Sequence, residues 1–554
     1  MRTPINKWIK DGDPWIWINA GAVTISMIMV FGLLALIASR GLVHFWAHDV
    51  MQADLSGRDG SRMTIAGELI ETEEVAAEQL RDAGYIVPDD LEFMQRDLMK
   101  LGNRDVYGGD FKWVMDASLS NKTYPANIIA LERREWGNFY GFIDTIKENG
   151  NTVANGDSAW NELTQRIERA LSIYADIHAI EKVEIGGINS RMERLRLKQR
   201  RLELKGQDTP ANLLEVSEDR AALDAEYRAL QAQLTQLYEQ ISRDTLTAKT
   251  VEGATVEIAL SKIVRAYQPN AMSLAEKLVF YAEKIIEFVS EDPREANTEG
   301  GIFPAIYGTV LMVILMSIIV TPFGVVAAVY LREYAHQGAL TRVIRIAVNN
   351  LAGVPSIVYG VFGLGFFIYF LGSGIDQALF PEALPSPTFG TGGLLWASIT
   401  LAILTLPVVI VATEEGLARI PRSIREGSLA LGATKAETLW RVVLPMASPA
   451  MMTGVILAIA RAAGEVAPLM LVGVVKLAPS LPLDGNYPYL HLDQKFMHLG
   501  FHIYDVGFQS PNVEAARPLV YATSLLLVVV IALLNLTAVS IRNRLREKYK
   551  ALEM

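Results

Sequence analysis

The chain has no cysteine among its 554 residues, which excludes disulfides, thiolate metal sites and cysteine nucleophiles. Its seven histidines show no HExxH or other ligand spacing and read as ordinary polar or interfacial side chains. It has no G-x4-G-K-S/T phosphate loop and no Gly-Lys pair from which to build one, so ATP, if used, is bound by another chain. A G-x-S-x-G nucleophile elbow is also missing. A basic excess is lacking too: the net charge of −10 argues against a general nucleic-acid binder.

What the chain has is apolar length. It is 51% hydrophobic, which suggests a membrane protein carrying a substantial soluble part. Six stretches can cross a bilayer, for which about 20 apolar residues suffice. They are Trp15 to Ile37, then roughly 305–331, 346–371, 392–413, 447–474 and 518–540. The first is too long for a signal-peptide core and reads as a retained anchor.

Lys and Arg set the expected orientation. Arg2, Lys7 and Lys10 precede the first span, and Arg332, Arg342 and Arg345 lie between the second and third. Arg419, Arg422, Arg425, Lys435 and Arg441 fall between the fourth and fifth, and the tail 542–554 is basic from Arg542 to Lys550. The loop at 372–391 has no basic residue, and the one at 475–517 has three. Both termini are therefore expected in the cytoplasm and residues 47–300 outside it.

The expected organisation is a first span within 1–46, an insertion at 47–300 and a helical core at 301–541. Within the insertion, Leu223, Tyr227, Leu230, Leu234, Leu237 and Ile241 alternate by four and three, an a/d seam. Ile188, Met192, Leu195 and Leu202 keep a compatible spacing, and GQDTPAN at 206–212 breaks the pattern. This predicts a coiled hairpin over 158–246, with 158–205 against 213–246, serving as scaffold or as a partner's docking arm. The basic run LRLKQRR at 195–201 reads as a solvated helix face. VYGGDFKWVMDA and TVEGATVEIALSKIVRAY look strand-like, and a helix near 273–291 leads to the second span. The fold class expected is an all-α polytopic membrane protein with a mainly helical insertion.

Residues 414–445, EEGLARIPRSIREGSLALGATKAETLWRVVLP, read as two short helices with a tight corner. Pro421 suits a first turn, Gly432 a left-handed stop, and Thr434 with Glu437 a capping box. Leu429, Leu431, Leu439 and Trp440 offer an apolar face with the arginines exposed. Glu426, Gly432 six residues on, nine more residues, then Val442-Val-Leu-Pro445 resembles the E-A-A-x3-G-x9-I-x-L-P loop of ABC importer permeases. Gly427 and Ser428 stand where alanines are usual, and Val442 where isoleucine is. The resemblance implies a coupling helix docked into an ATP-hydrolysing subunit, carried here by Glu426, Gly427, Ser428, Gly432, Ala433, Thr434, Leu444 and Pro445.

GGIFPAIYGTVLMV at 300–313, AGVPSIVYGVFGLG at 352–365 and ARAAGEVAPLML at 460–471 resemble the permease subunit of phosphate importers of the PstA type. The similarity covers spans two to six; the long insertion does not belong to the compact form. It implies a non-catalytic subunit with no cofactor of its own, in a bacterial inner membrane. Its partners would be a second homologous permease, ATP-binding cassette subunits, an extracytoplasmic phosphate-binding protein and the lipid bilayer. The same fold could carry another oxyanion such as molybdate or sulfate. A membrane sensor would need an output domain, and a secondary carrier would not need the coupling loop.

Arg461 and Glu465 stand four apart in an otherwise apolar stretch, beside Gly464 and Pro468. A lone charge at mid-bilayer costs roughly 2.5–3.5 kcal/mol on insertion scales. The pair either fixes helix packing or lines a path. A guanidinium matches phosphate oxygens bidentately, and helices weakened by Gly and Pro commonly line transport sites. All four residues are thus candidates for the substrate path.

Overall fold

The computed structural model describes residues 12–57, 61–82, 91–510 and 513–549. Arg2, Lys7, Lys10 and Lys550 lie outside the described residues. Six helices are long and apolar enough to cross a membrane, as expected. Their bounds differ instructively from the hydropathy segments.

Helix α1 (Asp13–Val43) is followed by two antiparallel sheets, not by a mainly helical insertion. The first sheet contains β1 (Val50–Ser56), β2 (Arg62–Ala76), β3 (Phe93–Lys100), β4 (Phe111–Met115) and β5 (Leu119–Thr123), in the order β4-β3-β2-β1-β5. The second begins with β6 (Ile129–Arg133), β7 (Phe139–Glu148) and β8 (Asn151–Asn155). The all-α expectation is corrected on this point. ELIETEEVA, the second half of β2, is rich in helix formers, yet pairing with β3 overrides that local preference, and the chain turns helical only beyond it, over Ala77–Asp82.

The hairpin is present. Its first arm is α2 (Ala159–Ala179), a π-helical turn over Ile180–Ile185 and α3 (Gly186–Leu204); its second is α4 (Pro210–Ile241). Thr209 caps α4 through Asn212 N–H, with Pro210 in the first turn, so α4 starts three residues earlier than the pattern suggested. It also ends earlier: the expected helical arm to 246 gives way to β9 (Asp244–Lys249). Leu223, Leu234 and Ile241 are buried, but Tyr227 is exposed. The seam therefore serves mainly to lay α2 and α4 onto the sheet core, where Leu163, Ile167 and Ile177 meet Leu246 and Ile258. β10 (Thr255–Ala259) and β11 (Ile263–Tyr267) complete the order β10-β9-β7-β6-β11, confirming the strand-like reading of 250–267.

Helix α5 (Leu274–Ser290) starts with a Ser273–Glu276 capping box and returns the chain to the membrane. The Phe288 ring lies 5.0 Å from the ring of Phe45, which follows α1.

In the core, α6 (Phe303–Val329) continues as a π turn to Tyr334, and α7 (Ala339–Leu351) is a separate amphipathic helix. The third span thus begins at α8 (Ser356–Phe362), after Pro355, and runs on to Leu379, rather than covering 346–371. Arg342 and Arg345 make α7 too charged on one face to cross apolar lipid. Helix α9 (Leu394–Arg419) is the central span, with 67% of its apolar window buried, against none for α1. Met312, Met316 and Val320 of α6 pack with Leu401 and Val409 of α9 and with Ala458 and Ala462 from the fifth span.

Candidate functional site: the coupling corner and the broken fifth span

Between α9 and the fifth span the chain forms α10 (Arg422–Ala430), a corner, and α11 (Lys435–Thr438). The corner is a Schellman motif. Gly432 N–H donates to Leu429 O at 3.0 Å and Ala433 N–H to Ser428 O at 3.3 Å, and Gly432 has φ +90°. The expected capping box follows: Thr434 N–H donates to Glu437 Oε2 at 2.9 Å, and Glu437 N–H to Thr434 Oγ1 at 3.3 Å. The Ser428 and Thr438 hydroxyls meet across the corner at 2.9 Å. Glycine here is a backbone requirement and not a packing one, because a Cβ on Gly432 would meet nothing within 4 Å.

Two expectations about this loop are corrected. Leu439 is not on the exposed face; it is buried with Leu417, Ile420 and Val443. Nor is Arg425 exposed. Its guanidinium donates to Glu333 Oε1 at 2.9 Å, and to Leu417 O at 2.8 Å and Ile420 O at 2.7 Å. It thereby caps the end of α9 and ties the corner to the end of the second span. Lys435 adds a contact over the Tyr334 ring, 4.4 Å from its centre. A parallel tie holds α7, where Arg345 reaches Glu414 at 3.1 Å and Leu331 O at 3.1 Å. Sequence reasoning missed both pairs. The signal was an acid at a span end among basic residues, Glu333 alone and Glu414 beside Glu415.

Large apolar side chains remain exposed at the corner: Leu431 at 91% and Trp440 at 74%, with Leu429 beside them. Glu426, Gly427, Thr434 and Gly432 are exposed too, Ala433 and Ser428 half-buried. The fifth span continues from α11 through a π turn into α12 (Leu444–Ala463), with Pro445 in its first turn.

Hydropathy extends this span to 474, but α12 stops at Ala463 with Gly464 as its cap. Arg461 is in the last turn, where a cation complements the helix dipole. Glu465 lies beyond the helix end, so the two charges do not share a helix face. They still meet loosely, Arg461 Nε to Glu465 Oε1 at 3.7 Å, with the side chains 33% and 22% exposed. Pro468 opens a single turn, α13 (Leu469–Val472). A Cβ on Gly360 would stand 2.7 Å from Pro468 Cα and a Cβ on Gly363 2.8 Å from Val472. The stretches 352–365 and 460–471, far apart in sequence, thus pack on one another. The third singled-out stretch, 300–313, shares a core with them through Met312 and also reaches the last loop, where Thr309 Oγ1 accepts from Leu499 N–H at 2.9 Å.

The core is thus helical, with an exposed corner between its fourth and fifth spans and the fifth span broken beside a charged pair. The chain matches the family of the binding-protein-dependent transport system inner membrane component over residues 320–550, and it belongs to that family of ABC importer permeases. It is similar to the phosphate transport system permease protein PstA 1 of Mycobacterium tuberculosis (strain CDC 1551 / Oshkosh), 37% identical over 247 residues, covering 44% of this chain and 71% of that protein. It is also 34% identical over 204 residues to the probable ABC transporter permease protein YqgH of Bacillus subtilis (strain 168), covering 36% and 62%. Among solved structures, a chain of the inward-facing MetNI methionine ABC transporter matches with TM-score 0.32 and 18% identity, covering 44% of this chain and 94% of that one.

Proposed function

We propose that this chain is a permease subunit of an ATP-driven importer of inorganic phosphate. Two ATP-binding cassette subunits, a second homologous permease and an extracytoplasmic phosphate-binding protein complete the assembly, and ATP is bound by the cassette subunits alone. Both termini and the corner at 414–445 face the cytoplasm of a bacterial inner membrane, and residues 47–300 lie on the other side. The observation that carries the reading is the corner. It is braced internally by the Schellman bonds and the Ser428–Thr438 contact, tied to two spans by Arg425, and leaves Leu431 and Trp440 unpartnered. A part that must transmit a push needs stiffness behind and a contact surface in front. The phosphate cargo is supported by the names of the permeases it resembles.

Arg461 receives phosphate transiently in the path. Among the described residues its guanidinium has one ion-pair contact, 3.7 Å from Glu465, which leaves its donors available for a bidentate grip on an oxyanion. Glu465 holds it between cycles and limits how tightly phosphate binds, while Gly464 and Pro468 keep the helix open there. The test is labelled phosphate uptake in phosphate-starved cells lacking the gene, complemented with wild type or Arg461→Ala at matched membrane abundance. Unlabelled molybdate and sulfate serve as competitors. Uptake restored by wild type alone, and not competed by either oxyanion, supports the reading. Uptake that neither wild type nor Arg461→Ala changes sinks the phosphate assignment.

A further inference from the structure

Where α1 leaves the membrane, a cavity of about 950 Å³ opens between it, the first sheet, α5 and the last span, α14 (Val513–Tyr549). Its lower wall is apolar, with Leu36 and Val43 of α1 and Leu519 and Tyr521 of α14. These residues sit at the insertion-side ends of the two spans, whose apolar runs are Pro14–Val43 and Ala516–Glu547. The helices touch closely there: a Cβ on Gly41 would stand 2.8 Å from Ala522 N. The cavity therefore lies at the membrane surface, not in the soluble part.

Its upper wall is charged, and most of those charges are committed. Lys284 pairs with Glu132 at 2.9 Å and with Glu287 at 3.1 Å. Arg40 and Arg517 share one acid, Glu71, at 3.4 and 3.7 Å, so the rim carries a surplus positive charge. Lys100 also lines the cavity and, among the described residues, has no ion-pair partner within 4 Å. Its cross-strand neighbour Glu68 accepts from the Tyr140 hydroxyl at 2.7 Å and, among the described residues, pairs with no cation. Glu299 lines the same space, and burial pushes its carboxyl upward in pKa.

A hydrocarbon alone would leave these charges unsolvated. A simple anion would meet Glu68 and Glu299, and a simple cation would meet Lys100 and the arginine rim. The geometry points to an amphiphile that carries both signs: the headgroup of an aminophospholipid, phosphatidylethanolamine, is held here as a bound lipid of the surrounding membrane. Its phosphate takes Lys100 and the surplus charge of Arg40 and Arg517, its primary ammonium donates to Glu299 and Glu68, and its acyl chains run down the exposed face of α1. The site is independent of the cargo.

The test uses the full chain purified in mild detergent, with bound lipid identified by native mass spectrometry. Thermal unfolding follows in nanodiscs of phosphatidylethanolamine, phosphatidylcholine or phosphatidylglycerol. Expected are one retained phosphatidylethanolamine per chain and a higher Tm in that lipid than in phosphatidylcholine, whose methylated ammonium cannot donate hydrogen bonds. Lys100→Met and Glu299→Gln should each lower retention at least fivefold with the circular dichroism spectrum unchanged. Equal retention of all three lipids, preference for phosphatidylglycerol, no retained lipid, or full retention by both folded variants would each overturn the proposal. If both variants unfold, the wild-type comparison among the three lipids decides it alone.

Discussion

Replacing Gly432 with asparagine separates a broken fold from a blocked contact. The left-handed conformation costs residues with a Cβ about 1–2 kcal/mol, and asparagine is among the side chains that visit it most readily. No steric cost adds to this, since a Cβ at φ +90° meets nothing within 4 Å of the chain itself. Against a typical folding stability of roughly 5–15 kcal/mol, Gly432→Asn should leave the protein folded and inserted. The new side chain nevertheless projects from the corner beside Leu431, into whatever the corner docks against. Phosphate uptake and transport-coupled ATP hydrolysis in proteoliposomes should fall at least tenfold at equal membrane abundance. The equivalent loss is about 1.4 kcal/mol of coupling. Normal uptake by Gly432→Asn would refute the docked corner, and an uptake loss that merely tracks lost abundance would refute the claim of free space.

Arg461→Lys keeps the charge but not the fork, so uptake should fall several-fold at unchanged abundance; normal uptake would remove the bidentate role. Arg425→Ala leaves Glu333 and two carbonyls without their donor, and losing one member of a shielded pair costs roughly 3–5 kcal/mol; protease sensitivity near residues 417–435 should rise, and an unchanged digest would show the tie to be idle. Thr434→Ala removes the helix cap at about 1 kcal/mol, so it should lower uptake far less than Gly432→Asn, and the reverse order would count against the docking surface. Burial depresses His498 to about 3 and His502 to about 4, from an ordinary 6.5. The unfolded chain then binds protons that the folded one refuses, so stability is complete above pH 6.5 and declines as pH falls towards 4. Tm measured at pH 7.5 and 5.0 should show that decline, with a smaller slope in His502→Gln; equal slopes would place the pH dependence elsewhere.

The spans and the corner were legible because their signals are local. An apolar run long enough to cross lipid, a glycine at a helix stop and a T-x-x-E cap each act within a few residues. The span ends were less legible, because hydropathy cannot see a cap. Residues 346–351 and Leu469–Val472 are apolar enough to read as extensions of their neighbours, yet Pro355 and Gly464 separate them from those helices. The sheets were hidden for another reason. β6 is buried throughout, so IALER shows no alternation, and the second half of β2 is written in helix-forming glutamates that pairing with β3 makes extended. Cross-span ties such as Arg425–Glu333, 92 positions apart, are set by three-dimensional packing and leave only a faint trace in sequence. Arg461 and Glu465 stand out by their oddity in lipid, but the helix end that falls between them, at Ala463, has no hydropathy signal.

Phe45 against Phe288 has a consequence for how such a chain could have arisen. About 240 residues depart from the membrane and come back to the point of departure, where the two rings meet edge to face. An excursion closed at its neck leaves the spans on either side as near to one another as a short turn would, its further ties to them being side-chain contacts such as those of Arg40 and Arg517 with Glu71. Loop closure grows only slowly more costly with length, and a folded excursion with its ends clasped adds little even of that. Such a neck is a natural joint for gain or loss of the whole insertion in one genetic event. A chain cut at Phe45 and resealed at Phe288 would test whether the membrane part still assembles without its passenger.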